Sequence, residues 1–171
     1  MKKITSSLLF AGLVSFCFLP LCGTAGAQDA VILTQDQIEK IVPSNFYFEG
    51  QVGPTQMRNA AAVRFGEKQH FIAALVDTSG YASNIQGKYE GFIITGAPVN
   101  IGGVVLPTGA YGFGFTKDSK LNIFDVGGKQ LHSLAAAVDT RTTSPRPLII
   151  AKAGSDIRLY KGRTFVVVKA K

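Results

Sequence analysis

The chain has 171 residues, with 18 Lys+Arg, 11 Asp+Glu, two Cys, no Trp and a formal net charge of +7. That length suits a single domain, and a composition 46% hydrophobic and 17% charged is too apolar for disorder. Two cysteines cannot build a disulfide-dense scaffold or a four-cysteine zinc site, and 19 glycines without a three-residue period exclude collagen.

At the N-terminus, Lys2 and Lys3 precede an apolar stretch from Ser6 to Leu21 that Pro20 and Gly23 break. Ala25-Gly26-Ala27 then supplies the small-x-small pattern of a signal peptidase site. The pattern predicts a signal peptide over residues 1–27, cleaved after Ala27, and a secreted or periplasmic location. The apolar run is short for a membrane span of about 20 residues, so no transmembrane span is expected in the mature chain. Lipid attachment at Cys22 is disfavoured by the bulky Leu21 before it. Cleavage removes both Cys17 and Cys22, leaving a cysteine-free chain, and the loss of Lys2 and Lys3 lowers its net charge to +5. Thiolate chemistry and disulfide staples are then excluded for residues 28–171, which are expected to form one β domain.

Residues 34–42 (TQDQIEKIV) are the one convincing helix. Thr34 and Gln37 have capping-box spacing, Leu33 and Ile38 stand as a hydrophobic staple, and Pro43 stops the helix. Ile38, Ile41 and Val42 form its apolar stripe. From Asn45 onward the pattern is β. Phe46-Tyr47-Phe48 starts a strand, and Ala61–Phe65 and His70–Asp77 flank a turn at Gly66-Glu67-Lys68. Residues 90–95 read as a buried strand, and Val99–Ile101 and Val104–Leu106 flank the two-residue hairpin signal Gly102-Gly103. Tyr111–Thr116 and Lys120–Val126 follow, and Gly127-Gly128 turns the chain into residues 130–138. Leu148–Ala151, Asp156–Tyr160 and Arg163–Val168 complete the series, with Lys161-Gly162 as the last turn. Residues 78–89 and 139–147 are the longest stretches without a pattern. Strands spaced by roughly 8–12 residues define an all-β chain. The expected architecture is an antiparallel β-sandwich or flattened barrel of about 8–10 short strands with one short N-terminal helix.

Four features bear on function. In Tyr111-Gly112-Phe113-Gly114-Phe115, alternation puts the aromatics on one face and both glycines on the other. The bare glycine face serves either for close packing or as a shallow groove for a flat ligand. Ala74-Leu75-Val76-Asp77-Thr78 resembles the active-site turn of aspartic proteases, where a carboxylate pair shares a proton and activates water. Ser79 interrupts that pattern before Gly80 and only one copy exists, so a hydrolase using Asp77 is an alternative and an Asx-type turn the simpler expectation. His70 and His132 lie in no metal-ligand spacing and near no nucleophile elbow. No catalytic residue, metal site or cofactor is assigned. Finally, Arg141, Arg146, Lys152, Arg158, Lys161, Arg163, Lys169 and Lys171 face only Asp156 within residues 141–171. That segment carries +7 and leaves residues 28–140 at −2. Its alternating strands are expected to gather Arg158, Lys161, Arg163 and Lys169 on one face, either a solvated face that discourages edge-to-edge aggregation or one for contact with an anionic surface.

Residues 98–116 (PVNIGGVVLPTGAYGFGFT) carry a Gly-Gly, Leu-Pro-x-Gly-x-Tyr segment. It resembles small exported bacterial β-sandwich proteins of unassigned function, as do Phe48-Glu49-Gly50-Gln51 and Gly128-Lys129-Gln130-Leu131. The resemblance implies a secreted sandwich and no reaction.

The function expected from these features is that of an exported non-enzymatic protein of the cell envelope. Its partner would be envelope polysaccharide, an anionic lipid surface or a small ligand, the last held near Tyr81, Asn84, Tyr89 and Tyr111. Nucleic acid is not expected, since no nucleic-acid motif is present. A subunit that assembles by strand addition is a further alternative.

Overall fold

The computed structural model describes residues 29–67 and 69–171; the expected signal segment lies outside them. The chain enters through strand β1 (Ala30–Ile32) and helix α1 (Gln35–Ile41). The capping box forms as expected, with Gln37 Oε1 accepting the Thr34 N–H at 3.0 Å. Ile38 and Val42 are buried, whereas Ile41 is 39% exposed. A seven-residue helix lying on a sheet touches it along one i, i+4 row, and Ile41 falls outside that row.

Strands β2 (Asn45–Phe48) and β3 (Gln51–Phe65) form a hairpin through Glu49-Gly50. β3 also pairs with β4 (Gln69–Val76), and its register shifts between Thr55 and Ala60. That irregularity bends β3. Its first half pairs with β2 and its second half, from Ala60 to Phe65, with β4. A short helix α2 (Ser83–Gln86) leads into β5 (Gly91–Thr95), followed by β6 (Val99–Ile101), β7 (Val104–Leu106), β8 (Gly109–Phe115) and β9 (Lys120–Phe124). The chain ends with β10 (Gln130–Ala135), β11 (Ala137–Val138), β12 (Arg146–Ala153), β13 (Asp156–Gly162) and β14 (Thr164–Ala170).

These strands form two antiparallel sheets, as expected for a sandwich. The first runs β1-β3-β4-β5-β8-β9-β10, with β2 attached to β3. The second runs β12-β13-β14-β6-β7, with β11 attached to β14. Val63, Phe71, Ile93, Phe113, Leu121 and Ile123 from the first sheet meet Ile101, Leu106, Leu159, Val166 and Val168 from the second in one buried core. At Ala136 the chain passes from β10 in the first sheet to β11 in the second, and this corner joins the sheets along one side.

A second apolar cluster covers the outer face of the first sheet. Phe46 and Phe48 of β2, Ile38 of α1, and Tyr81, Ile85 and Tyr89 of the α2 segment pack on Ala62, Ile72, Ala74 and Phe92. The Phe46 ring stacks on Phe92 at 4.3 Å and the Phe48 ring on Tyr89 at 4.0 Å. The first sheet is therefore buried on both faces. This explains the continuous buried run of β4 from Phe71 to Val76, where an exposed sheet face would show alternation.

The described residues form 14 strands, because residues 130–138 divide into β10 and β11 and the unpredicted β1 adds another. One shift matters for the site. Lys161 pairs with Thr164, so the last turn is Gly162-Arg163 rather than Lys161-Gly162. Lys161 consequently belongs to β13 and falls in register with the inward-facing Ile157 and Leu159.

Several edge strands are short or interrupted. β1 and β7 hold three residues each, β10 has a register irregularity between Gln130 and His132, and β12 carries Pro147 and Lys152.

Candidate functional site

The four tyrosine and asparagine candidates do not converge on one concave surface. Tyr89 is fully enclosed and Tyr81 nearly so, with their rings 5.6 Å apart inside the outer cluster. The Tyr81 hydroxyl donates to the Phe46 carbonyl at 3.3 Å and so ties the α2 segment to β2. Burial raises the Tyr81 and Tyr89 hydroxyl pKa values. Tyr111 faces the inter-sheet core and its hydroxyl donates to the Pro107 carbonyl at 2.9 Å. Asn84 alone is exposed. Three of the four thus pack the interior and do not share one pocket with Asn84.

The glycine face of β8 is likewise occupied. The Phe48 ring lies directly over Gly112, and the Lys88 carbonyl lies over Gly114, each where a Cβ would stand. No groove for a flat ligand remains there.

Asp77 is exposed and accepts the Ser79 N–H at 3.0 Å. That backbone bond, with the Ser79 hydroxyl, holds its carboxyl below the ordinary value. A proton-sharing dyad would drive one carboxyl upward. The geometry is an Asx turn, the simpler of the two expectations for this segment. His70 on β4 and His132 on β10 are separated by β5, β8 and β9. Among the described residues no group of three or more His, Asp or Glu side chains is placed to hold a metal ion.

The C-terminal cations do not form one face. Arg158 and Lys169 lie on the outer face of the second sheet, and both are paired. Arg158 lies 3.6 Å from Asp139 and stacks on the Phe165 ring at 4.2 Å, while Lys169 lies 3.5 Å from Asp156. Arg163 projects from the β13–β14 turn. Lys161 instead points toward the first sheet and forms an ion pair with Glu90. Acids distant in sequence, Glu90 and Asp139, thereby neutralise part of the basic segment.

Lys161 belongs to a different feature, a groove at one end of the sandwich with a volume of about 1010 Å³. Four separate pieces of chain line it: the segment after α2 (Lys88 and Glu90), the β8–β9 hairpin (Phe115, Thr116, Lys117 and Asn122), the start of β12 (Pro145, Arg146 and Pro147), and the β13–β14 hairpin (Lys161 and Thr164). Glu90 is held from both sides, since its Oε2 accepts the Phe115 N–H at 2.9 Å and its Oε1 faces Lys161. Burial pushes the Lys161 ammonium below the usual lysine range. Lys88 leans toward Glu49 at 2.9 Å. Lys117 and Arg146 are exposed and make no ion pair among the described residues.

Asp118, next to Lys117, does not cancel it. Its carboxylate bonds Lys120 at 2.7 Å, and that bond, with Thr116, lowers its pKa to about 2. The folded-state value is depressed, so the linked stability is present above the unfolded value of 3.8 and is lost as pH falls toward about 2. We expect a carboxyl NMR titration midpoint near 2 for Asp118 and a return toward 3.8 in Lys120→Ala. An ordinary midpoint in the unaltered protein would contradict the pairing.

The groove is not visible in the sequence because its cations are unremarkable one by one: Arg146 and Lys161 belong to the basic C-terminal segment, and Lys88 and Lys117 stand in no pattern. Comparison with protein-family models, with curated proteins and with solved structures finds no match to this chain. No helix among the described residues is long and apolar enough to cross a membrane.

Proposed function

We propose that the protein is an exported, non-enzymatic module of the cell envelope that holds an anionic partner in the groove at the end of its sandwich. One observation carries the reading. Four cationic side chains from four separate segments, Lys88, Lys117, Arg146 and Lys161, line one concavity; Glu49 and Glu90 pair Lys88 and Lys161, and Lys117 and Arg146 make no ion pair among the described residues. Like charges brought together repel, and a bound anion relieves that cost. The planar Arg146 guanidinium suits a carboxylate or phosphate group. The small-x-small site after the apolar leader supports export.

Retention on an anionic matrix should fall steeply as salt rises. The Lys117→Ala/Arg146→Ala variant should bind the matrix at least about tenfold more weakly. The control Lys152→Ala/Lys171→Ala, equal in charge but placed toward the opposite end of the second sheet, should bind nearly as well as the unaltered protein. Equal losses in the two variants would show that net charge, and not the groove, sets retention.

A further inference from the structure

We propose that the groove's ligand is an acidic polysaccharide, a sugar chain carrying carboxylate or other anionic groups. This inference rests on the anion-binding reading above and names the polymer.

The shape of the groove selects a chain over a surface. The Lys88 and Lys161 side chains are 34% and 30% exposed, whereas Lys117 and Arg146 stand open to solvent. A flat bilayer reaches the exposed Lys117 and Arg146 first, whereas a single extended chain can also follow the groove to the half-buried Lys161. The groove's uncharged groups select sugar over bare phosphate. Asn122 Oδ1 accepts the Ser133 hydroxyl at 2.7 Å, which leaves the amide nitrogen without a hydrogen-bond partner among the described residues. The Thr164 hydroxyl, also lining the groove, has none either. Both can donate to the oxygens of a sugar or of a phosphate, but the Thr164 oxygen can also accept a hydrogen bond, which sugar hydroxyls supply and a phosphate chain, presenting acceptors only, does not. The walls exclude base stacking. The one aromatic ring lining the groove, Phe115, is half-buried and packs edge-on against Phe113 at 6.1 Å. Single-stranded nucleic acid depends on open aromatic platforms. Pro145 and Pro147 instead offer small apolar surfaces that fit the C–H faces of a pyranose ring.

Glu90 has a defined part in this site. Its carboxylate already occupies the space between Lys161 and the Phe115 N–H, so it competes with the ligand's anionic groups for Lys161. Glu90→Gln keeps the shape and removes the competitor, so it should tighten binding.

The test uses the cleaved chain from residue 28 and four probes: polygalacturonate oligomers, inorganic polyphosphate of matched charge, phosphatidylglycerol vesicles and single-stranded DNA. Polygalacturonate should bind best. Asn122→Ala and Thr164→Val should each weaken it about fivefold while leaving retention on the anionic matrix unchanged. Glu90→Gln should strengthen it about tenfold; a weakened Glu90→Gln of unchanged thermal stability would overturn the competitor role. Preferential binding of polyphosphate, vesicles or DNA would overturn the polysaccharide assignment, as would indifference of polygalacturonate binding to both Asn122→Ala and Thr164→Val. Matrix retention that depends on Lys117 and Arg146 without polygalacturonate binding would leave the anion groove standing and remove the polysaccharide. Matrix retention indifferent to those two cations would remove both. Thermal unfolding of each variant checks its fold, and Asn122→Ser replaces any Asn122→Ala protein that does not fold.

Discussion

Replacing Phe48 by alanine is expected to destabilise the protein by about 4 kcal/mol and to lower its unfolding midpoint by about 10 °C. Phe48 is fully buried although it belongs to a hairpin laid over the outside of the first sheet. Its ring is sandwiched between Tyr89, stacked at 4.0 Å, and the backbone of Gly112, with Phe124 edge-on at 6.0 Å. Truncation opens a cavity against Tyr89, whose buried hydroxyl has no hydrogen-bond partner among the described residues. Gly112→Ala attacks the same contact from the other side, because its Cβ would overlap the Phe48 ring. Alone it should cost about 2 kcal/mol through overpacking. In the Phe48→Ala background the clash has gone, so adding Gly112→Ala should cost at least about 1 kcal/mol less than it does alone. Urea unfolding of the four proteins measures this coupling. Strict additivity would show that the ring does not rest on Gly112.

The second large effect joins fold to site. A Cβ on Gly114 would overlap the Lys88 carbonyl, a backbone atom that cannot rotate aside. Residues 88–90 are held against β8 by the Glu90 N–H donating to the Phe113 carbonyl at 2.8 Å and by the Phe115 N–H donating to Glu90. Gly114→Ala must push that segment outward or distort β8, at about 3 kcal/mol. Displacement of Lys88 and Glu90 should also weaken anion binding by about tenfold. Unfolding and matrix retention, measured on one preparation, test both effects. Lowered stability with unchanged retention would place the anion elsewhere than between residues 88–90 and the second sheet.

Much of the local structure is legible in the sequence. The capping box at Thr34 and Gln37 and the hairpin at Gly102-Gly103 form where their residues stand, with positive φ at both glycines. Alternation in residues 111–115 correctly sends Tyr111 and Phe113 inward. These features depend on neighbours within a few residues, and their causes are steric. The doubled burial of the first sheet is less legible. Ala73, Ala74, Phe92 and Ile93 are buried on both of its faces, which shows in sequence only as a continuous apolar run.

The site was the least legible part. A run of cations at the C-terminus suggested one positive face, yet strand parity splits it. Arg158 and Lys169 take the outer side of the second sheet, where Asp139 and Asp156 meet them, and Lys161 takes the inner side. With the last turn at Gly162-Arg163, Lys161 stays within β13 and shares the inner side with Ile157 and Leu159. Tyr81 and Tyr89 similarly read as exposed loop residues in a polar stretch, because the hairpin that covers them is recruited from more than 30 residues away.

The sequence by itself determined the β class, the turns, the helix cap and a strongly uneven distribution of charge, because each follows from backbone sterics, side-chain period and composition. Only the tertiary structure decided which charges are neutralised and which stay unpaired. Ion pairing and groove formation depend on distances between segments, such as the 71 residues separating Glu90 from Lys161, and sheet order alone sets those distances.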